Sequence, residues 1–375
     1  MPMTSVSAAL LKASCALLLA CALSQASAQE AAPPPDDGPY VFRTEGQRLE
    51  SLWVCAGKIV RRTQRAREGA TVKPRCGYPH PVRIPESFEG IETPLPAGAR
   101  IVALSDIHGQ YDVMARLLRA NGVIDANDRW NLGRDHLVIA GDVFDRGPKV
   151  TEAFWLLFQL QQQAHEAGGA VHFLLGNHET MVLYDDLRYI HPKYAETARL
   201  LGRPYPALYA ANSVIGGWLR TRPVLLRLGD TLFLHGGIAP ENLGLVDDLA
   251  ATNAAYDASL GKPRDVVKAD PATARLYDGK TSPIWYRGYF NGKLSTAEVQ
   301  ALVERLGLAR IVVGHTTIGE VASFHGGKVV AIDSGIKRGQ SGQLLFIENG
   351  RLSRGLMDGT RQPLPELQAT PEDKD

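Results

Sequence analysis

Cysteine and charge imbalance are both scarce in this chain of 375 residues. Of four cysteines, Cys15 and Cys21 fall in an N-terminal leader-like stretch, which leaves Cys55 and Cys76 and excludes a disulfide-dense scaffold. Lys and Arg total 41 against 40 Asp and Glu, so no net field draws in nucleic acid or an anionic membrane surface. Apolar runs are short as well. Ala13–Leu23 is too short to span a bilayer, and there is no internal repeat. What remains is ordinary globular composition, 45% hydrophobic and 22% charged, with 37 Gly and 23 Pro that imply many turns rather than a helical bundle.

Lys12, the apolar run after it and the small residues Ala26-Ser27-Ala28 form a secretory signal pattern, so Met1–Ala28 is expected to be removed on export to a periplasmic or secreted location. Lipid attachment at Cys21, behind Leu18-Leu19-Ala20, is the alternative. Gln29–Gly38 is polar and Pro-rich and is expected to be flexible. Residues 29–97 together form a leader and N-terminal extension, with a strand expected in SLWVCAGKIVRR. Two cysteines in an exported chain make Cys55–Cys76 a disulfide candidate, closing a loop of roughly 20 residues worth about 3 kcal/mol. His80, flanked by prolines, is placed on a surface loop. Arg361 onward, polar and without apolar periodicity, is expected to be a disordered tail.

From Gly98 to about 360, strand-like and helix-like runs alternate, then give way to hairpin-like strands such as Val224–Leu228 and Thr231–His235 about Gly229-Asp230. The run Ile101–Leu104 ends in Ser105-Asp106-Ile107-His108-Gly109, a carboxylate and an imidazole two residues apart at a strand end. An Asp there is often only a helix cap. The arrangement recurs four times, however, as LVIA-Gly141-Asp142, HFLL-Gly176-Asn177-His178-Glu179, LFL-His235-Gly236-Gly237 and IVV-Gly314-His315. Strand ends of an α/β sheet converge on one edge, where ligand sites form. They would bring together Asp106, His108, Asp142, Asn177, His235 and His315, a nitrogen and oxygen set without thiolate that suits Mn, Fe or Zn. Six side chains exceed one tetrahedral site and fit two divalent ions sharing a bridging carboxylate, which can clamp a phosphate and activate a water for in-line attack.

In order, DIHG, GDVFDRG, GNHE, HGG and GHT resemble the motif set of the calcineurin-like metallophosphoesterases, phosphoprotein phosphatase branch, over about Ile101 to Gly335. The resemblance implies a four-layer α/β/β/α sandwich with mixed sheets. It places Asp106 and His108 on the first metal, Asp142 as the bridge, and Asn177, His235 and His315 on the second. It also implies hydrolysis of phosphomonoesters by direct attack of a metal-bridging hydroxide. Arg146 would bind phosphate together with Asn177, and His178, oriented by Asp145, would protonate the leaving group. Arg287 in SPIWYRGYF is the candidate second phosphate-binding arginine, with Trp285 and Tyr286 walling the pocket.

Two departures refine the resemblance. Leu174-Leu175 stand before GNHE where serine/threonine phosphatases carry Arg, and Ala331–Gly335 (AIDSG) replaces their late Tyr segment. Both features, with PIWYRG, are similar to the Shewanella-like protein phosphatases and make phosphotyrosine as well as phosphoserine a substrate to consider. A phosphorylated protein or small phosphoester is thus the expected partner. A dinucleoside-polyphosphate hydrolase is the alternative, since Asp333-Ser334-Gly335 resembles a segment of that family; a binding protein without turnover is the third possibility. Tyr189–Val224, between GNHE and the HGG strand, carries no chemistry-bearing spacing that would mark it as a lid or a cap.

Overall fold

The computed structural model describes residues 33–88 and 94–368, so the signal pattern, Cys21 and residues 369–375 lie outside the described residues. The N-terminal region opens with an antiparallel sheet of β1 (Asp37–Thr44), β2 (Arg48–Cys55) and β3 (Lys58–Arg65). The stretch expected to hold one strand is a hairpin, turned at Ala56 and Gly57, whose φ values of 46° and 74° match the two-residue turns that suit strand twist. β1 begins inside the stretch expected to be flexible. Asp37 is fully buried there and accepts a hydrogen bond from the Tyr40 hydroxyl at 2.7 Å. A two-stranded ladder, β4 (Ala70–Val72) and β5 (Val82–Ile84), follows, and Cys55 and Cys76 are joined by a disulfide. His80 lies 3.0 Å from the Asp128 carboxylate, so its loop is tied down.

The remaining strands are β6 (Ile101–Leu104), β7 (His136–Ile139), β8 (Ala170–Phe173), β9 (Leu226–Leu228), β10 (Thr231–Leu234), β11 (Arg310–Val313), β12 (Ala322–Phe324), β13 (Val329–Ala331), β14 (Leu344–Glu348), β15 (Arg351–Gly355) and β16 (Arg361–Pro363). They make a six-stranded sheet, β16-β15-β14-β6-β7-β8, and a five-stranded one, β12-β13-β11-β10-β9. Pairs β6–β7, β7–β8, β10–β11 and β11–β13 are parallel, which is why these strands read as unbroken apolar runs: both faces are covered. Ala103 and Val138 meet Phe233, Val312 and Val330 between the sheets. Alternate residues, Val102, Leu104, Leu232 and Ile311, turn outward into the larger core.

Helices α1 (Tyr111–Ala120) and α2 (Val150–Glu166) contribute to that core beside the first sheet. α3 (Asn177–Leu183), α4 (Pro192–Leu201), α5 (Val214–Leu219), α6 (Leu249–Ser259), α7 (Arg264–Ala269), α8 (Pro271–Ala274) and α9 (Thr296–Arg305) complete the set, and Val299 and Val303 of α9 join the same core. The result is the mixed α/β architecture the motifs imply. No helix among the described residues is long and apolar enough to cross a membrane.

One expectation is corrected. The tail boundary at 360 falls inside ordered structure. β16 pairs with β15, and the Glu366 carboxylate accepts from Ser323 Oγ at 2.5 Å and Gly326 N at 2.8 Å. Backbone pairing at a sheet edge needs no apolar periodicity, so composition hid it. The stretch 189–224, whose role no sequence spacing decides, is largely core. Tyr194, Tyr205, Tyr209 and Trp218 are buried, and Tyr209 packs edge-on against Phe144 with ring centroids 4.7 Å apart.

This packing encloses a polar cluster. Lys193 Nζ stands 3.4 Å from Asp37 Oδ1 and 3.5 Å from Glu152 Oε1, and Glu152 Oε2 has no hydrogen-bond partner. Burial first, with Asp37's charge adding to it against the pull of Lys193, pushes the Glu152 carboxyl up from 4.5 to about 7. Between those values the folded protein keeps a proton that the unfolded chain has lost, so stability falls as pH rises through that window, by up to about 3 kcal/mol. Glu152→Gln is therefore expected to be more stable than wild type at pH 8, by about 1–3 kcal/mol, and nearly equal to it near pH 4.5. Urea unfolding at the two pH values checks this; a difference independent of pH would contradict it.

Candidate metal centre

The five ligand-bearing turns lie at the carboxyl ends of β6, β7, β8, β10 and β11, three from one sheet and two from the other. Backbone bonds hold them in register. His108 N donates to Asp142 O at 3.0 Å and Gly109 N to Val143 O at 2.9 Å, while Gly147 N returns to His108 O at 2.9 Å. The chains cross so closely here that a Cβ on Gly109 would lie 2.5 Å from Gly147 O, and one on Gly147 would lie 2.5 Å from His108 O. Glycine at both motif ends is thus a packing requirement. The second sheet is pinned on by His315 N, which donates to Asp106 Oδ2 at 2.9 Å.

All six expected ligands are buried and meet in one place. His108 Nδ1 donates to Phe144 O and His235 Nδ1 to Ala140 O, each at 2.7 Å, which turns both Nε2 atoms inward. His315 Nε2 donates to Trp285 O at 3.1 Å, leaving Nδ1 as its ligand atom. Asp142 Oδ2 lies 3.1 Å from His235 Nε2, 3.6 Å from His108 Nε2 and 3.8 Å from His178 Nε2. Asn177 Oδ1 lies 2.8 Å from His235 Nε2, and Asp106 Oδ1 3.9 Å from His108 Nε2. Two triplets emerge, His108–Asp142–His178 and Asp142–His235–His315, each with ligand atoms within 4.8 Å of one another and sharing Asp142.

These residues fit divalent cations. Lone pairs of Asp142, Asn177 and His235 converge, and a Cβ on Gly176 would sit 2.1 Å from Asp142 Oδ1, so the cradle needs glycine. Burial and then Asp333's charge push Asp106 up to about 8. Burial opposes the charge on His235, but Asp142 outweighs it and raises the imidazole to about 9. Asp142 is likewise desolvated, yet the imidazoles of His235, His178 and His108 hold it well below the usual carboxylate range. Buried carboxylates and imidazoles crowded in this way make a donor set suited to a cation.

Around the ligands, His178 Nδ1 lies 2.5 Å from Asp145 Oδ2, so a carboxylate orients this ring where carbonyls orient His108 and His235. Despite burial, Asp142 and Asp145 raise the His178 imidazole above its ordinary value. Arg146 is exposed and its guanidinium carbon lies 5.5 Å from the Tyr189 ring centroid; Arg287 Nη1 donates to His315 O at 3.1 Å. The Trp285 ring stands edge-on to His315 at 5.4 Å, whereas Tyr286, expected beside it as a wall, is buried against Tyr289.

Three contributors escaped the sequence reading. Glu179 is fully buried, and its carboxylate accepts N–H bonds from Asp142, Val143 and Gly176 at 2.8 Å and from Phe144 at 3.3 Å, fixing the Asp142 loop. Its place in GNHE was the available signal. Ser105 Oγ donates to Asp106 Oδ2 at 2.5 Å. Tyr189, 42% exposed, sits with its ring centroid 5.4 Å from that of His178, and its carbonyl accepts from Arg146 N. No spacing distinguishes it.

Comparison with known proteins identifies what the chain is similar to. A family model described as calcineurin-like phosphoesterase matches residues 99–318. Shewanella-like protein phosphatase 2 of Arabidopsis thaliana is 25% identical over 327 residues, covering 74% of this chain and 81% of that protein. A symmetrical bis(5'-nucleosyl)-tetraphosphatase of Neisseria meningitidis is 31% identical over 140 residues, 37% of this chain and 44% of that one. Among solved structures, the cold-active protein-tyrosine phosphatase of a psychrophilic Shewanella is 40% identical with a TM-score of 0.83, covering 88% of this chain and 99% of that one.

Proposed function

The chain belongs to the calcineurin-like phosphoesterase family, and on that premise we propose that it is an exported, metal-dependent phosphomonoesterase of phosphoproteins, acting foremost on phosphotyrosine. The observation that carries this reading is the Asp142 carboxylate shared by two groups of metal-competent side chains, as two-ion phosphoester hydrolysis requires, with Asp106 beside His108 taken as a ligand of the first group in place of His178. Asp106 and His108 would hold one ion, Asn177, His235 and His315 the other, and Asp142 both. Mn, Fe or Zn bound there would activate water and draw charge from the phosphoryl oxygens.

The chain's own groups do the rest. Arg146, exposed at the rim, is free to fork two phosphate oxygens, with Arg287 beside His315 as the second contact and Asn177 at the floor. His178 gives its Nε2 proton to the leaving oxygen while Asp145 holds Nδ1 and steadies the ring. Tyr189 and Trp285 flank this region and suit an aryl leaving group; the name of the Shewanella structure supports the same preference. Export is supported by the Met1–Ala28 pattern and by the Cys55–Cys76 disulfide, which persists in oxidising compartments.

A panel of phosphotyrosine peptide, phosphoserine peptide and diadenosine tetraphosphate, with and without chelator, tests the reading. Phosphotyrosine should turn over fastest, and chelation should stop it. Preference for the dinucleotide would move the assignment to polyphosphate hydrolysis. No turnover with Mn, Fe or Zn would end the catalytic reading.

A further inference from the structure

A cavity of about 640 Å³ opens away from the metal centre, bordered by β8, β9 and α6, and none of the metal-centre residues lines it. Its apolar wall comes from all three elements, with Phe173, Leu226 and Leu249 as examples. Its charge is lopsided: Arg220, Arg222 and Arg227 face a single carboxylate, Asp257. Two of these guanidiniums are committed to backbone carbonyls, Arg220 to Tyr209 and Gly216, Arg227 to Gly229 and Gly307.

Arg222 is different. It is 94% buried by its 6% exposure, and among the described residues no carboxylate pairs with it. Its Nε donates to Trp218 O and Thr221 Oγ1 at 3.3 Å, its Nη2 donates to Thr221 Oγ1 at 2.8 Å, and its guanidinium carbon lies 5.4 Å from the Trp218 ring centroid, so its partners here are neutral groups. Burial lowers its pKa only to about 10, so the charge persists at neutral pH. His172, beside it on the wall, is kept neutral near 3 by burial, by His136 and by the charge on Arg222. A buried guanidinium whose partners are all neutral lacks the counter-charge that an anion would bring. A cavity of this size is within the range that holds small ligands.

We propose that this cavity is a second binding site, for an organic anion with an apolar body whose carboxylate pairs with Arg222 while its body lies on the leucines. On its wall, Pro223 O accepts from Leu175 N, two residues ahead of Asn177, at 2.9 Å.

Titration calorimetry with octanoate and with 1-octanol tests the proposal on the full protein, on Arg222→Met, and on Ala254→Trp, which fills the cavity from the exposed side of α6. Octanoate should bind the wild type one to one and at least tenfold more tightly than octanol. Both variants should weaken octanoate at least tenfold. Arg222→Met should also unfold at the same or a higher temperature, because a buried charge without a counter-charge has been replaced by an apolar chain. Failure of octanoate to bind, octanol binding as tightly, or octanoate binding undiminished in the folded Ala254→Trp protein would each overturn the proposal. A drop in unfolding temperature for Arg222→Met with octanoate binding retained would make Arg222 a purely structural residue and overturn it equally.

Discussion

Asp142→Asn is expected to strip both metal ions from the protein together while leaving it folded, and to lower kcat/KM by at least about 10³-fold. The physical basis is the position of Oδ2, which faces His235, His108 and His178 at 3.1, 3.6 and 3.8 Å and is common to both ligand triplets. An amide in its place removes the charge and turns either a weaker ligand or an N–H toward the ions. Oδ1 can still accept from His178 N at 3.0 Å, so the loop keeps its internal bond. Losing two-ion stabilisation of the transition state forfeits several kcal/mol, hence the thousandfold figure. Elemental analysis of the purified variant, with a thermal melt alongside, gives the answer. Two tightly retained ions would sink the bridging assignment.

His178→Asn should leave the metal content unchanged and cut turnover of a phosphotyrosine peptide by about 10²–10⁴-fold, the usual contribution of a positioned general acid. The loss should be much smaller for p-nitrophenyl phosphate, whose leaving group departs without a proton. This contrast matters because His178 also stands within ligand distance of Asp142 in the first triplet. Its Nδ1 bond to Asp145 orients it, but carboxylate-oriented imidazoles also serve as metal ligands. Equal losses on both substrates, accompanied by loss of an ion, would make it a ligand and remove the proposed acid.

The positions of the candidate ligands were legible because parallel strands buried on both faces leave a plain signature. Four apolar residues end in a small residue and then a polar one, as at Leu104-Ser105-Asp106 and Ala140-Gly141-Asp142. The hairpin at Gly229-Asp230 was legible for the same local reason. What was hidden depends on distant partners. Glu179 looks like an ordinary acid in the first turn of a helix, yet it serves four N–H groups, three of them on the Asp142 turn. Six of the twelve described non-glycine residues with positive φ are Asp106, His108, Asp142, Asp145, Arg146 and His315, so half of this backbone strain sits at the site. Nothing in their spacing announces it. The tail was misjudged because β16 is held by backbone pairing and by Glu366, neither of which alters composition. Near-zero net charge likewise said nothing of Arg222, whose burial without a counter-charge arises only when β8, β9 and α6 assemble around it.

The central claim is that two divalent ions held through Asp142 drive phosphomonoester hydrolysis. It is tested most directly by stripping the wild-type protein with chelator and titrating Mn back while following phosphotyrosine-peptide turnover and bound metal together. Activity should be absent from the stripped protein and return fully only as the second equivalent binds. Turnover that survives stripping, or that is complete with one ion per chain, would contradict the account.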